Sequence, residues 1–95
     1  MLLDVSKAAL TDLERIHESG LHRFGQKVAD DYAYELFDTM ELIATQPNLA
    51  HERPEILEGL RVHPHKSHLI LYRVLSDRVL ILRIFFARQN WQDHI

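Results

Sequence analysis

The side chains with the most chemical potential gather in the last part of the chain. His63, His65 and His68 fall within six residues, and His94 stands beside the final residue. On an extended strand His63 and His65 share a face, a spacing that lets two imidazoles reach one metal ion. His68 has the opposite parity, and the sequence offers neither a third ligand nor a supporting shell. No metal and no cofactor are expected. Arg61, Arg73, Arg83 and Arg88, with Tyr72 and the histidines, are the types that metal-free RNA cleavage places around a scissile phosphate. Arginine is equally suited to pairing with an acidic protein surface. Ser6, Ser19, Ser67 and Ser76 sit at a cap, a helix end and two strand ends, none in a nucleophile elbow. Gly20, Gly25 and Gly59 form neither a P-loop nor a dinucleotide fingerprint. The chain has no cysteine, which removes thiol nucleophiles, disulfides and thiolate zinc sites together.

These groups belong to a chain of 95 residues, 46% hydrophobic, with three Gly and three Pro. That is one domain's length, and it is too apolar for disorder. No apolar run approaches the roughly 20 residues of a membrane span. An acid at Asp4 argues against a signal peptide, so a soluble, cytoplasmic protein with no membrane contact is expected. The net charge of −3 conceals an asymmetry. Residues 1–60 carry five Lys/Arg against twelve Asp/Glu, whereas residues 61–95 carry six against two. A basic half of this kind can meet an acidic protein surface or nucleic acid.

The elements that must position these groups follow from periodicity. Leu2-Leu3-Asp4-Val5 reads as a first strand, 2–5. Ser6 is a good N-cap, and Ala9, Leu10, Leu13 and Ile16 or His17 recur at helical steps behind it, with Asp12, Glu14, Arg15 and Glu18 falling elsewhere. Gly20 suits a helix end, which bounds a first helix at 7–19. A second helix, 25–45, carries Val28 or Ala29, Tyr32 or Ala33, Leu36, Met40, Ile43 and Ala44 at the same period and stops before Pro47. Two helices on so short a linker make an antiparallel hairpin. Residues 47–60 read as a loop, and strands follow at about 60–65, 67–75 and 78–88, with a tight turn at Ser76-Asp77. The fold class is α+β: a helical hairpin packed on one face of a small, mainly antiparallel twisted sheet, in a single domain over 1–95. Arg73 and Arg83 interrupt otherwise apolar strand faces, which places them at a rim or at a functional surface.

The run Ser6-x-x-Ala9-x-x-Asp12-Leu13-x-x-Ile16 resembles the first helix of the ParE toxins of the RelE/ParE superfamily. Phe24-Gly25 with Ala29, Tyr32, Leu36 and Ile43-Ala44-x-x-Pro47 resembles their second helix. Gly59-Leu60-Arg61, Ser67-His68-x-Ile70-x-Tyr72-Arg73-Val74, Ile81-Leu82-Arg83-Ile84 and Arg88-Gln89-x-Trp91 resemble their strands and tail. The order spans nearly the whole chain. The resemblance implies the toxin half of a bacterial type II toxin–antitoxin pair, a non-enzymatic inhibitor of DNA gyrase and of replication. It implies neutralisation by a ParD-like antitoxin in a hetero-oligomer, without sequence-specific nucleic-acid binding.

The RelE group of the same superfamily cuts messenger RNA on the ribosome and carries a cationic cluster on its sheet. Here Leu69 and Leu71 stand where cations would be wanted, and the tail has no Tyr, although His94 keeps the alternative open with Arg61, Arg73 and Arg83. An interaction module without toxicity is a third reading. Phe86 stands where ParE members often have His. For toxicity and target binding the expected residues are Arg73, Arg83, Arg88 and Trp91, because Arg and Trp most often carry interface energy. For antitoxin binding they are Leu10, Leu13, Ile16 and Phe37, on the helical hairpin. No catalytic residue is assigned.

Overall fold

Ser6 starts the first helix and ties it to the sheet at once. Its hydroxyl accepts the Ala9 amide at 3.0 Å and donates to the Leu82 carbonyl at 2.8 Å. The computed structural model describes residues 1–95, and around that anchor it runs β1 (Leu2–Val5), α1 (Lys7–Phe24), α2 (Gln26–Thr45), β2 (Arg61–His65), β3 (His68–Val74) and β4 (Arg78–Phe86). A short 3₁₀ turn, Trp91–His94, closes the chain.

The first helix does not stop at residue 19 but continues to Phe24. Gly20 sits inside it at the crossing with α2, where an added Cβ would lie 3.2 Å from the Ala29 Cβ. Its role is close approach between helices. The conformational break belongs to Gly25 instead, at φ 88°, a value that side chains resist. The linker is therefore one residue, and the hairpin is tighter than the spacing suggests. The last strand is also shorter than expected, ending at Phe86, after which the Phe86 amide donates to the Gln89 side chain.

The four strands lie in the order β1-β4-β3-β2, with β1 parallel to β4 and the other pairs antiparallel. Both helices press on one face, where Ala9, Leu13, Leu36, Met40 and Ile43 meet Ile70, Tyr72, Val79, Ile81 and Ile84. The opposite face has its own small cluster of Leu60, Leu71, Phe85 and Trp91. The Trp91 ring stacks on Phe85 at 6.3 Å and 24°. The loop after α2 is pinned by Tyr72, whose hydroxyl donates to the Pro47 carbonyl at 2.9 Å and accepts the Ala50 amide at 3.2 Å.

A register shift between Leu71 and Tyr72 breaks the parity of β4: Tyr72 pairs with Ile81, but Leu71 pairs with Arg83. The extra residue, Leu82, turns the rest of the strand over. Ile84 rather than Phe85 therefore joins Val79 and Ile81 beneath the helices. Arg83 does not share their face, as simple alternation would have had it.

Candidate protein-binding groove

β1 reaches only as far as Ile81 along β4, so the rest of that edge needs another partner. Asp12 supplies it. This residue is 6% exposed, the one buried charged side chain of the fold. Its Oδ2 accepts the Ile84 amide at 2.9 Å and Arg83 Nε at 2.8 Å, while Oδ1 accepts Arg83 Nη2 at 3.0 Å. A bidentate pair of this kind fixes a guanidinium in orientation as well as position. The Arg83 guanidinium also lies 4.5 Å from the centre of the Phe85 ring. The Asp12 carboxylate raises the Arg83 pKa further above its ordinary value, so the cation is permanent.

Asp12 lies on the buried stripe of α1 with Ala9 and Leu13, not off it as the helical periodicity has it. The signal was present: Asp12 falls three residues after Ala9 and four before Ile16. An acid on an apolar helix stripe and an arginine on an apolar strand are each other's partners.

Beside this pair, α1, the start of α2, the end of β4 and the tail enclose an open groove of about 800 Å³. Ile16, Phe24, Val28 and Phe86 give it an apolar lining, and Phe24, Val28 and Phe86 are 63%, 51% and 42% exposed. Arg15, Arg23, Arg83 and Arg88 border it, together with His68 and His94. Asp12 is its one acid, and Arg83 already occupies it. An uncovered apolar floor inside a ring of cations is the complement of an amphipathic acidic segment.

The expected site residues divide accordingly. Ile16, Arg83 and Arg88 line the groove. Leu13 is 7% exposed and belongs to the core, which leaves a partner almost nothing to touch. Leu10 and Phe37 are exposed at 43% and 40% but lie outside the groove. Trp91 is 8% exposed in the cluster on the other face of the sheet. Arg73 is exposed, with its guanidinium packed against Gly59, 3.2–3.7 Å from where a Cβ there would stand. Arg61 is drawn into structure, donating to the Ala50 carbonyl and facing Glu52 at 3.6 Å. Sequence reading did not single out Arg15, Arg23, Phe24 and Val28, because only the hairpin's closure over β4 brings them together.

The histidines form a second polar cluster, between α2 and the β2–β3 turn. His65 Nδ1 meets the Thr39 hydroxyl at 3.1 Å and its Nε2 faces Glu35 at 3.4 Å. Lys66 donates to the same Glu35 oxygen at 2.8 Å, which holds that carboxyl below its ordinary pKa. His63 is half-buried with Nδ1 unpartnered, and desolvation lowers its pKa, helped by His65. No three His, Asp or Glu side chains converge as a metal-binding group.

The fold matches a chain of the chromosomal ParDE TA system from P. aeruginosa with a TM-score of 0.82, at 21% identity, over 93% of this chain and 97% of that one. Residues 3–91 match the family described as the ParE toxin of type II toxin-antitoxin system, parDE, and the chain belongs to that family. It is 34% identical over 91 residues to Toxin ParE1 of Caulobacter vibrioides, covering 96% of this chain and 94% of that toxin. It is 30% identical over 79 residues to Toxin ParE3 of the same organism, covering 83% and 79%. Toxin ParE1 of Mycobacterium tuberculosis is 29% identical over 87 residues, covering 90% and 89%. No helix is long and apolar enough to cross a membrane.

Proposed function

We propose that this toxin acts in the cytoplasm without catalysis. It binds DNA gyrase, holds it with broken DNA, and so blocks replication until a ParD-type antitoxin neutralises it. The observation that carries the antitoxin half is the groove, whose apolar floor and unopposed Arg15, Arg23 and Arg88 suit an acidic amphipathic segment. For the target half, the exposed Arg73 and Arg88 are the contact residues, and Arg83 presents a fixed guanidinium at the groove wall. Trp91 serves this surface indirectly, by stacking the tail on Phe85.

The disposition of the cations supports a non-enzymatic toxin over an RNA-cleaving one. Arg61 and Arg83 are committed to Ala50 and Asp12, and Arg73 packs on Gly59, so the three arginines that the RNA-cleaving reading draws on are held by the protein's own structure. Expression in bacterial cells tests the reading. Growth arrest with broken DNA and an induced damage response is the expected outcome, relieved by the co-expressed antitoxin. Arrest with intact DNA and cleaved messenger RNA would instead establish the ribosome-dependent nuclease.

A further inference from the structure

His68 lines the groove with half of its ring unused. The imidazole lies between the Tyr32 and Phe86 rings, with centroid separations of 5.4 and 5.8 Å. Its Nδ1 meets the Tyr32 hydroxyl at 2.6 Å, with the Ser67 hydroxyl at 3.5 Å. Nε2 has no hydrogen-bond partner within the protein, and it is not sealed from solvent. With Nδ1 accepting from Tyr32, the neutral ring carries its proton on Nε2, as a donor without an acceptor.

The Tyr32 hydroxyl also stands 3.3 Å from the His65 carbonyl. When Nδ1 gains a proton, the hydroxyl accepts from Nδ1–H and turns its own hydrogen to that carbonyl. Nδ1 and the Tyr32 hydroxyl are therefore paired in both charge states of His68, while Nε2–H has no acceptor within the protein in either.

The surroundings decide which state is populated. Burial lowers the His68 pKa from its ordinary value, and the nearby His65 adds to this. Tyr32 faces it from α2, His65 from β2, and Lys66 and Ser67 from the turn. Across the groove stand Arg15 and Arg23 of α1, Arg83 of β4, and Arg88 and His94 beyond it. Glu35 is engaged by Lys66 and His65, and Asp12 by Arg83. No unengaged acid lines the groove to stabilise a charged His68, whereas a carboxylate arriving from a partner would do so.

On the reading of the groove as the antitoxin's seat, we propose that His68 donates from Nε2 to a carboxylate of the antitoxin's acidic segment and takes up a proton at Nδ1 as it does so. Neutralisation is then tighter in mildly acid than in alkaline conditions, with Tyr32 as the residue that positions the ring.

Calorimetric titration of the chain with its ParD-type antitoxin tests this, in buffers of different ionisation enthalpy at about pH 6 and about pH 8. The expected result is net proton uptake and a dissociation constant several-fold lower at the acid end, tenfold being the ceiling that a rise of about one unit in the His68 pKa sets. His68→Gln abolishes uptake and pH dependence, whereas His94→Gln keeps both. An unchanged pH profile in His68→Gln overturns the proposal, as does its loss in His94→Gln alone. Titrating the His68 ring by NMR reads the same quantity in the unaltered protein, where a bound pKa equal to the free one overturns it too. The seat is tested separately, by Arg15→Glu with Arg23→Glu. Full affinity in that double variant refutes the groove, while weakened binding with no proton uptake refutes only the role of His68.

Discussion

Asp12→Ala is expected to be the most destabilising single truncation of a polar side chain in the protein, at about 3 kcal/mol. The carboxylate closes three contacts in one place: two to the Arg83 guanidinium and one to the Ile84 amide on the uncovered part of the β4 edge. Alanine leaves that amide and a cation beside Phe85 without partners, and no other acid lines the groove to replace it. Total stability for a domain of this size is on the order of 10 kcal/mol, so the loss is a substantial share. Urea unfolding reads it as a fall in midpoint of roughly 2 M with an unchanged slope. Asp12→Asn keeps an acceptor for Ile84 and should lose about half as much. A shift below about 0.5 M for the alanine variant would mean that α1 is held to the sheet by apolar contacts alone.

Reversing two groove charges, Arg15→Glu with Arg23→Glu, is expected to weaken antitoxin binding by about 100-fold or more. Like charges facing each other across an interface cost several kcal/mol. Both side chains are exposed on α1 and neither is in an ion pair within the protein, so folding should be little changed. The binding change should appear chiefly as a faster dissociation rate, with a smaller and salt-dependent loss in association. Arg88 and Arg73 remain in place, and the double variant should stay toxic in cells even when the antitoxin is co-expressed. Binding within about threefold of the unaltered chain would place the antitoxin elsewhere, with Leu10 and Phe37 on the outer side of the hairpin as the next surface to alter.

Much of this arrangement was legible in the sequence because periodicity reports faces. Ala9, Leu13, Leu36, Met40 and Ile43 mark the helices' buried sides correctly, and the order of strands and helices names the class. The end of α1 was not legible. Gly20 and Gly25 are the same residue type, and only packing against Ala29 shows that the first is a contact and the second a turn. Nor was the face of Arg83, since a register shift at Leu71/Tyr72 leaves no mark in composition.

The candidate site was harder to read for the same reason. Arg83, Arg88 and Ile16 could be picked out by residue type, but Arg15 and Arg23 look like ordinary solvated helix positions, Phe24 like part of a linker and Val28 like a candidate for the buried helix face. They become a surface only when a one-residue linker folds α1 and α2 beside the end of β4. Leu13 and Trp91 mislead in the opposite direction: large apolar side chains that suit an interface suit a core equally well, and here burial claimed them.

The most direct measurement of the proposed activity is a purified gyrase assay with this chain alone, scoring supercoiling together with trapped cleavage of the DNA. Loss of supercoiling accompanied by linear DNA is the expected result, with Arg88→Ala reducing both and added antitoxin restoring supercoiling. Full supercoiling and no cleaved DNA, from a folded chain that still arrests cells, would contradict the account and direct attention to another target.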